Sequence, residues 1–292
     1  MKHMAASPRS AVFRTLAAAG WAAAVIAAEP DGDVARRHAE SMAAMGLVRH
    51  DGAWRTPQEI ELAGRADRDA ARQRDWTKRL ERLRRDAAQG DSAATEEIRG
   101  ISDPLAVRAL GTALHSDSDL RMRGLYVEAL SRIPSPDAFA VLVATALDHA
   151  DDETRIAAVE RLAALGPPLA APPLVAALAS PDNARVNRAA EALGRLGEPA
   201  VVAALIGSLE TKHVVVQGDG KPAGSTTVTF TPAGGGLSMG GGPKPVAVMV
   251  RNDGVLEALV ALTDQNFAWD AAAWRRWLAA KECPDFDPRR AP

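Results

Sequence analysis

A single cysteine, Cys283, in 292 residues rules out an intramolecular disulfide and a cysteine-based zinc site. It leaves the compartment open, because exported chains also do without disulfides. Aromatics are scarce at 4%, and alanine carries much of the 47% apolar share. Small side chains of this kind favour close helix-to-helix packing over a thick aromatic core. An excess of one charge is lacking as well: 35 Lys and Arg stand against 37 Asp and Glu, a formal −2, which is no global footprint for a nucleic acid. A nucleic-acid role would need a local basic patch. No apolar run is long enough to span a membrane.

Several motifs of catalysis are missing. The six histidines, His3, His38, His50, His115, His149 and His213, form no HExxH or similar metal pair. His115 and His149 recur near equivalent turns beside Asp117, Asp119, Asp148 and Asp151. They read as solvated, helix-capping turn residues, and a metal would require adjacent turns to converge. The glycine triplets 234–236 and 240–242 do not begin GxxxxGK[ST], and Lys244 lies between Pro243 and Pro245 rather than opening a helix. No catalytic residue, metal site or cofactor is therefore assigned.

What is present begins with an ambiguous N-terminal segment, residues 1–46. Lys2, Arg9 and Arg14 precede the apolar "TLAAAGWAAAVIAA", and Val25-Ile26-Ala27 suits a signal-peptidase site, so residues 1–28 read either as an export signal or as an alanine-rich helix stopped by Pro30, Asp31 and Gly32. The first reading implies an exported or periplasmic protein, the second a cytoplasmic one. Residues 47–90 follow as a hairpin and a long charged helix. Asp51-Gly52 is a hairpin-turn dipeptide. Thr56-Pro57-Gln58-Glu59 is a capping box with proline at the first helical position. The helix behind it carries Trp76, Leu80 and Leu83 on one stripe, and a basic excess at Lys78, Arg79, Arg82, Arg84 and Arg85.

From residue 91 to 266 the chain repeats. "EEIRGIS", "EALSRIP", "ERLAALG" and "EALGRLG" place Glu96, Glu128, Glu160 and Glu191 at intervals of 32, 32 and 31. A second marker, Leu114, Leu147, Leu178 and Leu209, recurs in step. Two markers per period mean two helices per period, and a period of this length means stacked helical hairpins. The next "EAL" holds Glu257, one period plus about 35 residues beyond Glu191. The surplus, residues 213–251, is rich in β-branched residues and glycine, with "HVVVQ", "STTVTF" and "PVAVMV" as short strands. It predicts a β-hairpin or three-stranded flap within the last unit. Residues 267–292 hold Trp269, Trp274 and Trp277, a cap for the end of the array or an aromatic partner site rimmed by Arg275 and Arg276.

Aspartate-rich turns followed by Arg and a closing "EAL…G", as in "DDETRIAAVERLAALG" and "PDNARVNRAAEALGRLG", resemble short bacterial HEAT repeats from about Asp91 to Thr263. The glycine-rich insert, "NDGVLEALVALT", the ending "NFAWDAAAWRRW" and the Asp51-Gly52-Ala53-Trp54 element are together similar to an uncharacterised group of HEAT-repeat proteins with an inserted hairpin and a Trp-rich last helix. The resemblance implies an all-α fold, an armadillo-like α-α superhelix with a small N-terminal β-hairpin and a β flap in the last repeat. It implies no chemistry.

In such arrays the second helices line the concave face. Arg123 and Arg155 stand five residues before the aligned glutamates, with Arg185 and Arg188 in the corresponding turn of the next unit. They read either as a row that grips an acidic segment or as a ladder of salt bridges to Glu128, Glu160 and Glu191. Asn187 breaks the pattern and is expected to satisfy buried backbone between helices. The candidate partner-binding residues are Arg123, Arg155, Arg185 and Arg188, Leu237 and Met239 at the flap tip, and Trp269 and Trp274. The expected function is a non-catalytic scaffold for a protein or peptide partner. The alternatives are a helical-repeat enzyme of lyase or base-excision type, and nucleic-acid binding through the basic helix 65–85.

Overall fold

The computed structural model describes residues 32–217, 226–231, 234–239 and 244–282. The candidate export signal, residues 1–28, lies outside the described residues. The chain divides into two compact units, Met1–Ala66 and Asp67–Pro292.

In the first unit, α1 (Gly32–Ala44) precedes a hairpin of β1 (Val48–His50) and β2 (Ala53–Arg55). Asp51 and Gly52 take φ of 49° and 79°, the paired left-handed conformation of a two-residue hairpin turn. The capping box forms as the sequence predicts: Glu59 Oε2 accepts from the Thr56 backbone N–H at 2.7 Å, and Thr56 Oγ1 accepts from that of Glu59 at 3.2 Å. These bonds start α2 (Pro57–Ala88). His38 meets Trp54 edge-on at 6.1 Å.

The second unit is the array. After the end of α2 come α3 (Ser92–Arg99), α4 (Val107–Ser116), α5 (Leu120–Arg132), α6 (Pro136–Asp148), α7 (Asp152–Leu165), α8 (Pro167–Ala177), α9 (Asn183–Leu196) and α10 (Val202–Gly207). Four strands follow, β3 (Glu210–Gln217), β4 (Thr226–Thr231), β5 (Gly234–Met239) and β6 (Lys244–Arg251), and then α11 (Asp253–Thr263) and α12 (Ala271–Glu282). The glutamate marker falls on α3, α5, α7, α9 and α11, and the leucine marker at or just past the ends of α4, α6, α8 and α10. Helices α4–α5, α6–α7, α8–α9 and α10–α11 pack as hairpins, and α5, α7, α9 and α11 stack in succession.

The aspartates that punctuate the sequence are N-caps. Asp91, Asp119, Asp151 and Asp182 each accept a backbone N–H from the first turn of the helix they precede. Between the helices runs one continuous apolar core, with Ile98, Leu130, Leu162, Leu193 and Leu259 each at most 1% exposed.

The insertion falls between the two helices of the last hairpin, where the repeat frame places it. It holds four strands rather than two or three. β3 pairs antiparallel with β6 from Glu210↔Arg251 to Gln217↔Lys244, and β4 with β5 from Thr226↔Met239 to Thr231↔Gly234. The fourth strand, β5, was hidden by its glycine triplet, a residue type that strands ordinarily avoid. Among the described residues no helix is long and apolar enough to cross a membrane.

Candidate partner-binding site

The arginine row is largely occupied from within. Arg123, on α5 and only 8% exposed, donates from Nε to Thr154 Oγ1 at 2.8 Å and from Nη1 to the Asp117 carbonyl at 3.0 Å, and pairs through Nη2 with Asp151 at 3.2 Å. Arg155 on α7 donates to the His149 carbonyl at 2.9 Å and pairs with Asp152 at 2.6 Å. Arg185 pairs with Asp148 at 3.0 Å, and Arg188 reaches the Leu147 carbonyl at 3.2 Å. These acceptors lie in or beside the turns between helices. The aligned glutamates are not the partners of these arginines. Glu128 instead accepts from Arg99 at 3.0 Å and Arg132 at 2.8 Å.

Arg188 uses one nitrogen, on a carbonyl, and so retains donors. With Arg155 and Arg195 it lines a groove of about 180 Å³ between α7 and α9, floored by Ile156, Val159 and Ala192 and flanked by Asp152 and Glu191. Arg195 escaped the sequence reading because it lies late in α9, away from the turn where the row was sought.

The root of the flap is a buried polar knot. Asn252, 0% exposed, donates from Nδ2 to the Ser208 carbonyl and to Thr211 Oγ1, both at 2.8 Å. Asn187 Oδ1 accepts from the Gly254 N–H at 2.9 Å, so this asparagine does satisfy backbone between helices. His213, 7% exposed, bridges the Pro181 carbonyl at 2.7 Å and Thr211 Oγ1 at 2.6 Å. A carbonyl only accepts, which places the imidazole proton on Nδ1 and leaves Nε2 to accept from the threonine hydroxyl. Above this knot the β3–β6 ribbon turns apolar side chains to solvent: Val214 is 69% exposed, Met249 61%, and Val246 and Val248 40% each. Leu237 and Met239 lie on β5, opposite Val228 and Thr226.

Residues 142–218, from α6 to the end of β3, match the family model for HEAT repeats. This stretch of the chain is built of HEAT repeats. No curated protein matches it. HEAT repeats generally act as protein-interaction scaffolds, and this array has the paired, stacked helices of such a scaffold.

The last helical hairpin is closed by the tryptophans. Trp274 is 0% exposed, donates from its indole to the Ala268 carbonyl at 2.9 Å and meets Phe267 edge-on at 5.0 Å. Trp277 packs beside it, and Trp269 is covered by the Arg251 guanidinium at 5.4 Å. On α2, three of the basic residues pair within the unit: Arg72 with Asp103, Arg79 with Glu97 and Arg84 with Asp117. Among the described residues no three His, Cys, Asp or Glu side chains stand close enough to hold a metal.

Proposed function

We propose that this protein is a non-catalytic scaffold that docks an extended segment of a protein partner on its flap. The observation that carries this reading is the contrast between the pinned root and the apolar, solvent-facing β3–β6 ribbon. A two-stranded ribbon is marginally stable alone in water and gains from a third strand. Both outer edges of this ribbon lack a strand partner among the described residues. A partner strand added there would take main-chain hydrogen bonds from an edge and bury Val214 and Met249. Leu237 and Met239 belong to the same insertion and to the same proposal.

Arg123, which is buried, and Arg155, which is partly buried, brace the turns of the stack. Arg188 is the member of the row with no carboxylate partner among the described residues, and its charge is left for an acidic group. Trp274 seals the array, and Trp269 is its more accessible neighbour.

The test is affinity capture with the intact chain and with one in which Val214–Val250 is replaced by a short linker. A partner retained by the intact chain alone places docking on the flap, whereas equal capture moves it to the helices. In the second case Arg188→Glu separates the groove between α7 and α9 from the remaining helical surface.

A further inference from the structure

One turn position of the array is filled three times, by Asp117, His149 and Ser180. Each accepts the backbone N–H of the residue two places on: Asp119 to Asp117 Oδ1 at 3.0 Å, Asp151 to His149 Nδ1 at 3.1 Å, Asp182 to Ser180 Oγ at 3.1 Å. An acceptor is all the turn requires, and a serine supplies it. His149 brings a second nitrogen. Because Nδ1 accepts, the neutral ring carries its proton on Nε2. The residue is 92% buried, and no group among the described residues accepts from Nε2.

His149 lines a groove of about 220 Å³ between α4 and α6. Its surface is mostly apolar, formed by Leu114, Val141 and Ala144, while the Thr145 hydroxyl is already bonded to the Val141 carbonyl. The groove is open at Gly111, in the middle of α4, where a Cβ would stand 3.4 Å from Val141 Cγ1. That is ordinary van der Waals contact, so packing does not demand glycine. A helix-interior glycine is less favourable than alanine, and here its effect is to leave the groove unfilled.

We propose that this groove is a second docking site, for an extended segment of a protein partner, independent of the flap. The segment's neutral amide carbonyl accepts from His149 Nε2–H, and a branched aliphatic side chain beside it occupies the floor. The volume lies below the roughly 300 Å³ at which small-molecule pockets begin, and suits one anchoring side chain. No lysine or arginine lines the groove, and its one carboxylate, Asp148, is already paired with Arg185 at 3.0 Å, so no free cation of those kinds meets a chain-terminal carboxylate there, which selects a mid-chain amide.

The experiment follows the methyl signals of Leu114 and Val141 and the His149 imidazole by NMR, in the full chain. The probes are N-acetyl-leucine N-methylamide and its acid, N-acetyl-leucine. The amide is expected to shift all three signals at millimolar concentration, and the acid to bind about tenfold more weakly. His149→Ser keeps the turn acceptor that Ser180 demonstrates and removes the donor, so it weakens amide binding by about tenfold. Gly111→Ala weakens binding while raising the melting temperature, which distinguishes a filled groove from a damaged fold. Equal binding of acid and amide, unchanged binding in both variants, or no shift at all overturns the proposal. So do shifts that follow protein concentration without any probe, since they would place a second copy of the chain in the groove.

Discussion

Asp117 holds a charge where water scarcely reaches, its side chain being 2% exposed. Burial pushes its carboxyl up, but the Arg84 hydrogen bond at 2.5 Å, the Asp119 N–H and the Tyr126 hydroxyl outweigh it, and the net displacement is downward. Burial pushes the Tyr126 phenol up, with the neighbouring carboxylate adding to it, which keeps the hydroxyl a donor. A carboxyl lower in the folded state binds fewer protons there than when unfolded, so its contribution is complete above the usual carboxylate range and is lost as pH falls through the folded value. Asp117→Asn is expected to cost about 2–3 kcal/mol near neutrality by denaturant unfolding, with the gap to wild type narrowing in acid. A constant gap across pH would show that the charge contributes nothing. Asn252 makes a charge-free version of the same argument. Asn252→Ala leaves the Ser208 carbonyl and the Thr211 hydroxyl without their donor, and is expected to cost about 1–3 kcal/mol at unchanged denaturant slope.

At the scale of elements, what was legible in the sequence was local. The Thr56–Glu59 box, the Asp51-Gly52 turn and the aspartate caps each involve residues two or three apart, and each forms. The place of the insertion was legible too, because Glu257 breaks a period that the earlier glutamates keep. The partners of Arg123 were not. Thr154 lies 31 residues away and is brought near by the stacking of α7 on α5, a relation that one repeat's sequence does not contain. His213 was equally hidden, since its acceptor belongs to Pro181, 32 residues earlier. That bond makes the flap root a separable element. His213→Ala removes the bridge but none of the helix core, so amide exchange should accelerate along β3 and β6 while α5 and α7 keep their protection. Acceleration spread evenly over the array would mean that the root is part of the core rather than a hinge upon it.

The whole array obeys nearest-neighbour logic, because each hairpin packs chiefly on the hairpins beside it. Such a structure is weakest where a neighbour is missing, and at this end the missing neighbour is replaced by α12 and its tryptophans. Trp274 contributes most there, being fully enclosed, bonded to the Ala268 carbonyl and wedged against Phe267 and Trp277. Removing it to alanine empties a large part of that seal and is expected to cost about 3–5 kcal/mol. The loss should be local at first. Hydrogen exchange should show α10, α11 and α12 opening together, with α5 to α7 nearly as protected as before and denaturant unfolding broadening into two steps. The flap is rooted between α10 and α11, so its β3–β6 amides should lose protection with them. A single cooperative transition, shifted as a whole, would instead mean that the units are coupled too strongly for the end to fray, and would assign Trp274 to the common core.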